Sequence, residues 1–100
     1  MVTAKKPVIW YPEAKSELVE ILKFFNERNG SNQYSRKLHA KIKKRLNLVA
    51  DDCLLGEETD DENIRQLVVE NYLIFYWILP DAIEVLSIRD ARRDEEYYDE

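Results

Sequence analysis

Two rhythms divide this chain. From Pro12 to Val49 apolar side chains return every three or four residues, the spacing of one helical face; from Ile64 to Arg89 they come in short runs rich in Val, Ile and aromatics. The first rhythm predicts a helix opening at Pro12, where a fixed φ suits the first turn and Glu13 lies favourably against the helix dipole. Ala14, Leu18, Ile21, Leu22 and Phe25 make its apolar stripe, and Asn29 with Gly30 end it in a left-handed cap. Ser31 or Asn32 caps a second helix whose inward positions are Tyr34, Leu38, Ile42, Leu46 and Val49. The link between the helices is so short that they must run antiparallel. Ahead of them, Pro7 to Trp10 predicts an edge strand, with proline tolerated at its start.

Periodicity lapses from Asp51 to Asn63, which reads as one long loop pinned by Leu54 and Leu55 and turned at Gly56. The second rhythm then sets Ile64–Val69 against Tyr72–Leu79 in a hairpin. Its two-residue link is Glu70 and Asn71, with Asn71 the residue expected at positive φ. Pro80 and Asp81 lead into a last strand, Ala82 to Arg89. The middle strand, YLIFYWIL, is apolar on both faces, so helices should cover one face and the C-terminal tail or a partner chain the other. The pattern implies an α+β domain over residues 1–100, β-α-α-β-β-β, with a two-helix hairpin on one face of a small, mainly antiparallel sheet. Residues 94–100, DEEYYDE, read as a frayed acidic tail.

Charge sharpens the picture. The net charge of −5 hides 11 basic against 4 acidic residues in positions 1–50, and 4 against 16 in positions 51–100. Arg36, Lys37, Lys41, Lys43, Lys44 and Arg45 share one window, either a solvated helix face or a contact surface for an anionic partner. The acidic second half argues against a general nucleic-acid binder. A single cysteine, Cys53, no secretory leader and no long apolar span point to a cytoplasmic protein without membrane contact. Only Gly30 and Gly56 are glycines and no Cys/His spacing suits a metal, so neither a phosphate loop nor a cofactor is expected.

The chemistry that remains lies in arginines. Arg65 sits one residue into its strand, Arg89 closes the last strand, and Arg92 and Arg93 come next, so three strands are expected to deliver four guanidinium groups to one sheet edge as an anion-facing site. The plainer reading of Arg65 is a cross-sheet ion pair with Asp90 or Glu84, and of Asp90 a salt-bridge partner of the arginines beside it. His39 lies mid-helix, far in sequence from these arginines, and reads as an ordinary helix residue.

Nearly the whole chain resembles the RelE/ParE superfamily of toxins from bacterial type II toxin–antitoxin pairs, which includes the plasmid stabilisation proteins. VIWYPEAKSELVEI is similar to that family's first strand and Pro-Glu-Ala helix start; KIKKRLNLVADDCLLGEETDDENIRQLVVENYLIFYWI to its second helix, loop and arginine-bearing hairpin; IEVLSIRDARRD to its last strand and arginine-rich end. The resemblance implies a growth-inhibitory toxin neutralised by a cognate antitoxin that wraps over its exposed surfaces.

On that fold the superfamily runs two mechanisms. ParE-like members poison DNA gyrase by binding; RelE-like members are ribosome-dependent endoribonucleases that cut mRNA. For the second, the resemblance makes Arg65 and Arg89 the catalytic candidates, with Arg92, Arg93, Tyr97 and Tyr98 as weaker ones. The lysine pairs that ribosome-dependent members carry ahead of the strand arginine are replaced here by Glu57, Glu58, Asp60, Asp61 and Glu62, which should repel ribosomal RNA. The expectation is therefore a gyrase poison that meets its target or antitoxin through Arg36, Lys37, Lys41, Lys44, Arg65, Arg89, Arg92 and Arg93. An endoribonuclease, and an inactive relative kept for antitoxin binding, are the alternatives.

Overall fold

The computed structural model describes residues 5–91. Strand β1 (Val8–Trp10) leads into helix α1 (Pro12–Asn29), α2 (Gln33–Asp51) returns antiparallel to it, and four strands follow: β2 (Glu57–Glu58), β3 (Ile64–Val69), β4 (Tyr72–Leu79) and β5 (Ala82–Asp90). They form one sheet of order β1-β5-β4-β3-β2, parallel only between β1 and β5. The architecture is the α+β arrangement expected, with β1 at one edge and one addition: the long loop contains β2, paired with β3 through Glu57–Gln66 and Glu58–Arg65.

Local rules account for the helix ends. Pro12 occupies the first turn of α1, and Gly30 closes it at φ 67, a left-handed conformation that a Cβ would oppose. In α2 the inward register begins at Ser35 rather than Tyr34: Ser35 is buried and its hydroxyl donates to Asn26 Oδ1, where the helices approach closely, while Tyr34 is exposed with its ring edge-on to Phe25. A small polar residue fits this crossing, and a phenol does not. At the start of α2, Asn32 makes no side-chain cap bond, while Ser31 Oγ accepts the Gln33 amide at 3.4 Å.

Both helices lie on one face of the sheet, over Leu67, Val69, Ile74, Tyr76, Val85 and Ile88. The other face carries Val68 and Trp77, 48% and 41% exposed, and no described element covers it. At the β3–β4 hairpin the positive φ belongs to Glu70 (55°) and not to Asn71. Glu70 is held there by Lys41, whose ammonium lies 2.6 Å from its carboxylate.

One irregularity decides which way the end of the last strand faces. β5 pairs with β4 in one register from Leu79–Ala82 to Tyr76–Val85, then slips by one residue so that Phe75 meets Ser87 and Leu73 meets Arg89. Leu86 is the extra residue of a β-bulge, and every later residue of β5 changes face because of it.

Candidate functional site

The sequence predicts that Arg65 and Arg89 share an edge, and the structure separates them. Arg65 stands opposite Tyr76, whose side chain is wholly buried on the helix face. Arg89 stands opposite Leu73, on the open face, with its guanidinium 5.6 Å from the centre of the Phe75 ring. Without the bulge, Arg89 would pair with Tyr72 and share Arg65's face. Arg92, Arg93, Tyr97 and Tyr98 lie outside the described residues.

Arg65 is engaged in holding the loop between α2 and β3. Its Nη1 donates to the Gly56 carbonyl at 2.7 Å and to the Leu54 carbonyl at 3.3 Å, and Nη2 lies 3.6 Å from the Glu58 carboxylate. Its Nε is buried without a hydrogen-bond partner. The acidic partner is thus Glu58 on β2, rather than Asp90 or Glu84. The Tyr76 hydroxyl completes the same fastening: it donates to the Cys53 carbonyl at 2.9 Å and accepts the Gly56 amide at 2.8 Å. Burial, the largest influence, raises the pKa of Tyr76 above the ordinary 10.0, against the Gly56 hydrogen bond, which lowers it.

Leu54 and Leu55, expected to pin this loop, are 61% and 45% exposed. Gly56 is buried instead, and the site admits only glycine, because a Cβ there would fall 2.6 Å from Tyr76 Oη and 2.7 Å from the Gln66 carbonyl. Gly56, expected only to turn the loop, also makes room for the phenol, and Tyr76 is the residue that sequence reasoning missed. The available signal was a tyrosine at an inward position of a central strand, whose hydroxyl needs a partner when buried.

The basic window divides by helical phase. Lys41 pairs with Glu70, a contact that raises the lysine's pKa through hydrogen bonding first and charge second, and Arg45 donates to the Val68 carbonyl at 3.2 Å. Arg36, Lys37, Lys43 and Lys44 are exposed and form no ion pair with a described residue. They leave the outer face of α2 cationic and accessible. His39 is half-buried on the same helix.

A separate concavity of about 880 Å³ opens between α1 and the end of β5. Ile21, Phe24, Tyr72 and Ile88 give it apolar lining, Glu13, Glu17 and Glu20 line it from α1, and Arg89 and Asp90 from the end of β5. Glu17 Oε1 accepts the Ile88 amide at 3.0 Å. Among the described residues, no His/Cys/Asp/Glu group is arranged to hold a metal ion, and no helix is long and apolar enough to cross a membrane.

Comparison with known proteins adds family information to this geometry. Residues 8–95 match the family model described as the ParE toxin of the type II toxin–antitoxin system parDE. Among solved structures, the chain is similar to one titled as the chromosomal ParDE toxin–antitoxin system from P. aeruginosa, with TM-score 0.73 at 16% identity, covering 86% of this chain and 96% of that one. A second similarity, to TrmO from Pseudomonas aeruginosa, has TM-score 0.45 at 13% identity, covers 89% of this chain and 35% of that one, and carries no argument. No curated protein matches the sequence.

Proposed function

This chain belongs to the ParE toxin family of type II toxin–antitoxin systems, and we propose that it arrests growth in the cytoplasm by binding and poisoning DNA gyrase, relieved by a cognate antitoxin. The observation that carries the gyrase reading over RNA cleavage is the state of Arg65. A guanidinium that already bonds two carbonyls of its own loop is poorly placed to hold a phosphate, and Arg89, on the other face, cannot join it there. The acidic strand β2 beside Arg65 supports the same reading, since Glu57 and Glu58 are both exposed and would repel RNA.

Binding needs accessible, uncompensated groups rather than a convergent pocket. The outer face of α2 offers Arg36, Lys37 and Lys44, with Lys41 at its margin already bound to Glu70. On the open sheet face Phe75 lies beneath the Arg89 guanidinium, and Trp77 is exposed further along the same strand. We assign α2 as the main contact for the target, and the open face, where no described element covers the apolar side chains, to the antitoxin. Arg92 and Arg93 extend the chain from Arg89 and belong to the proposed contact surface in sequence terms.

Induction without the antitoxin tests this. DNA synthesis should stop before protein synthesis. If translation stops first and transcripts carry codon-positioned cuts that vanish in Arg65→Ala, the chain is a ribosome-dependent endoribonuclease; if growth continues, it is an inactive relative.

A further inference from the structure

The exposed side of α2 is not uniform around the helix. Tyr34, Lys37, Lys41, Lys44 and Leu48 recur at alternating steps of three and four residues, and all five are exposed. At 3.6 residues per turn they fall within about 80° of arc and draw a line about 21 Å long. An apolar side chain stands at each end of this line and lysines lie between. Tyr34 and Leu48 are 37% and 47% exposed, and the Tyr34 ring is braced by an edge-on contact with Phe25.

The neighbours of the line divide its work. Lys41, at the midpoint, already holds Glu70, so charge recognition falls to Lys37 and Lys44, which form no ion pair with a described residue. Arg45 borders the line and is turned toward the sheet, where it donates to the Val68 carbonyl.

Alternating steps of three and four are the repeat by which one helix lies along another at a shallow angle. A helix with the same repeat can set an apolar side chain against each end and a carboxylate against Lys37 and against Lys44. Opposite the Lys41–Glu70 pair it needs an uncharged polar residue, since a further carboxylate there would meet Glu70. A nucleic-acid backbone fits less well: Tyr34 and Leu48 gain nothing from phosphates, Glu70 stands beside the line, and the chain carries a net charge of −5.

We propose that the line from Tyr34 to Leu48 on α2 is the docking site for an acidic amphipathic helix of the protein target. This rests on the reading that α2 is the surface that meets the target, and it adds the chemistry of what is met there: apolar, acidic, neutral, acidic, apolar, along two heptads.

The test titrates the full chain by anisotropy with fluorescein-labelled, end-capped peptides of about 21 residues, each held helical by the same lactam bridge on its outer side. The first carries Leu, Glu, Gln, Glu and Leu in one line at the spacing of α2; a second has the same composition scattered around the helix; a third has Lys in place of Glu. A DNA duplex of similar length is the fourth probe. On the parent chain the lined acidic peptide should bind about tenfold or more tightly than each of the others. Lys37→Glu with Lys44→Glu should reverse the order and favour the Lys peptide. Ala40→Glu with Lys43→Glu and Asn47→Glu changes net charge by the same amount on the other flank of α2 and should preserve the order. Circular dichroism checks that both variants are folded, and the comparison of lined with scattered peptide on the parent chain needs neither. Equal affinity for the lined and scattered peptides, tighter binding of the duplex, or equal effects of the two charge variants would each overturn the proposal. None of these readings depends on gyrase inhibition or growth arrest, so failure of the toxin reading is seen separately, in the induction experiment.

Discussion

Arg65 and Arg89 stand on opposite faces of the sheet, and the single residue responsible is Leu86. Their surroundings differ accordingly: Arg65 bonds the Gly56 and Leu54 carbonyls, while Arg89 lies over Phe75. Substitutions at unconnected sites add. Arg65→Ala and Arg89→Ala should therefore combine within about 0.5 kcal/mol of their sum in urea unfolding, with Arg65→Ala the costlier at about 1.5–3 kcal/mol because charged hydrogen bonds are lost. A larger coupling energy would mean that the two guanidinium groups act as one site.

Removing the hydroxyl of Tyr76 strands the buried Gly56 amide and the Cys53 carbonyl together. Tyr76→Phe should lower stability by about 1–3 kcal/mol. The urea midpoint should fall at constant slope, and limited proteolysis should open the chain between Asp52 and Asn63 first.

The same phenol makes an alkaline prediction. Burial holds its folded pKa above 10.0, the value in the unfolded chain. Above pH 10 the unfolded state therefore sheds this proton while the folded state keeps it, so the unfolded state binds fewer protons and stability falls as pH rises. Below pH 10 the contribution is fully present. The stability difference between the parent chain and Tyr76→Phe should be flat from pH 7 to 9 and shrink as pH climbs through 10 toward the raised folded value, measured by urea unfolding at each pH.

How much of this could be read from sequence differs by residue. Pro12 and Gly30 act through φ alone, so the limits of α1 were legible, and the strands announced themselves by their β-branched and aromatic runs. Tyr34 was misplaced because Ser35 meets Asn26 at a helix crossing, a tertiary fact. Asn71 was the intrinsically better left-handed residue, yet Glu70 takes that conformation, held by Lys41 from another element. The arginine edge failed for a subtler reason. Without the bulge, the turn at Pro80 and Asp81 would put Arg89 opposite Tyr72 and on Arg65's face; one inserted residue inverted that, and a bulge leaves no reliable mark on a single sequence.

Gly56 is constrained by space. Gly56→Ala should cost about 2 kcal/mol or more, since the new methyl meets both a hydroxyl and a backbone carbonyl. In the Tyr76→Phe background Gly56→Ala should cost less than it does in the parent, because one of the clashing atoms is gone. Thermal unfolding of the four-protein cycle checks this.

On α2, exposed Lys37 and Lys44 have no acidic partner to lose among the described residues. Lys37→Glu with Lys44→Glu should change stability by no more than about 0.5 kcal/mol per site. It should nevertheless weaken capture of the target, and the weakening should diminish as salt screens the parent interaction. Pull-down of purified gyrase across a salt series distinguishes this from misfolding, which would be insensitive to salt.

The central claim is that this toxin acts by binding gyrase. Its most direct measurement is a supercoiling reaction with purified gyrase, relaxed plasmid, ATP and the full chain, followed by detergent and protease to reveal broken DNA. The account predicts loss of supercoiled product with accumulation of cleaved plasmid, reversed by the antitoxin and reduced by Lys37→Glu with Lys44→Glu. Undiminished supercoiling at toxin concentrations that arrest growth would contradict it.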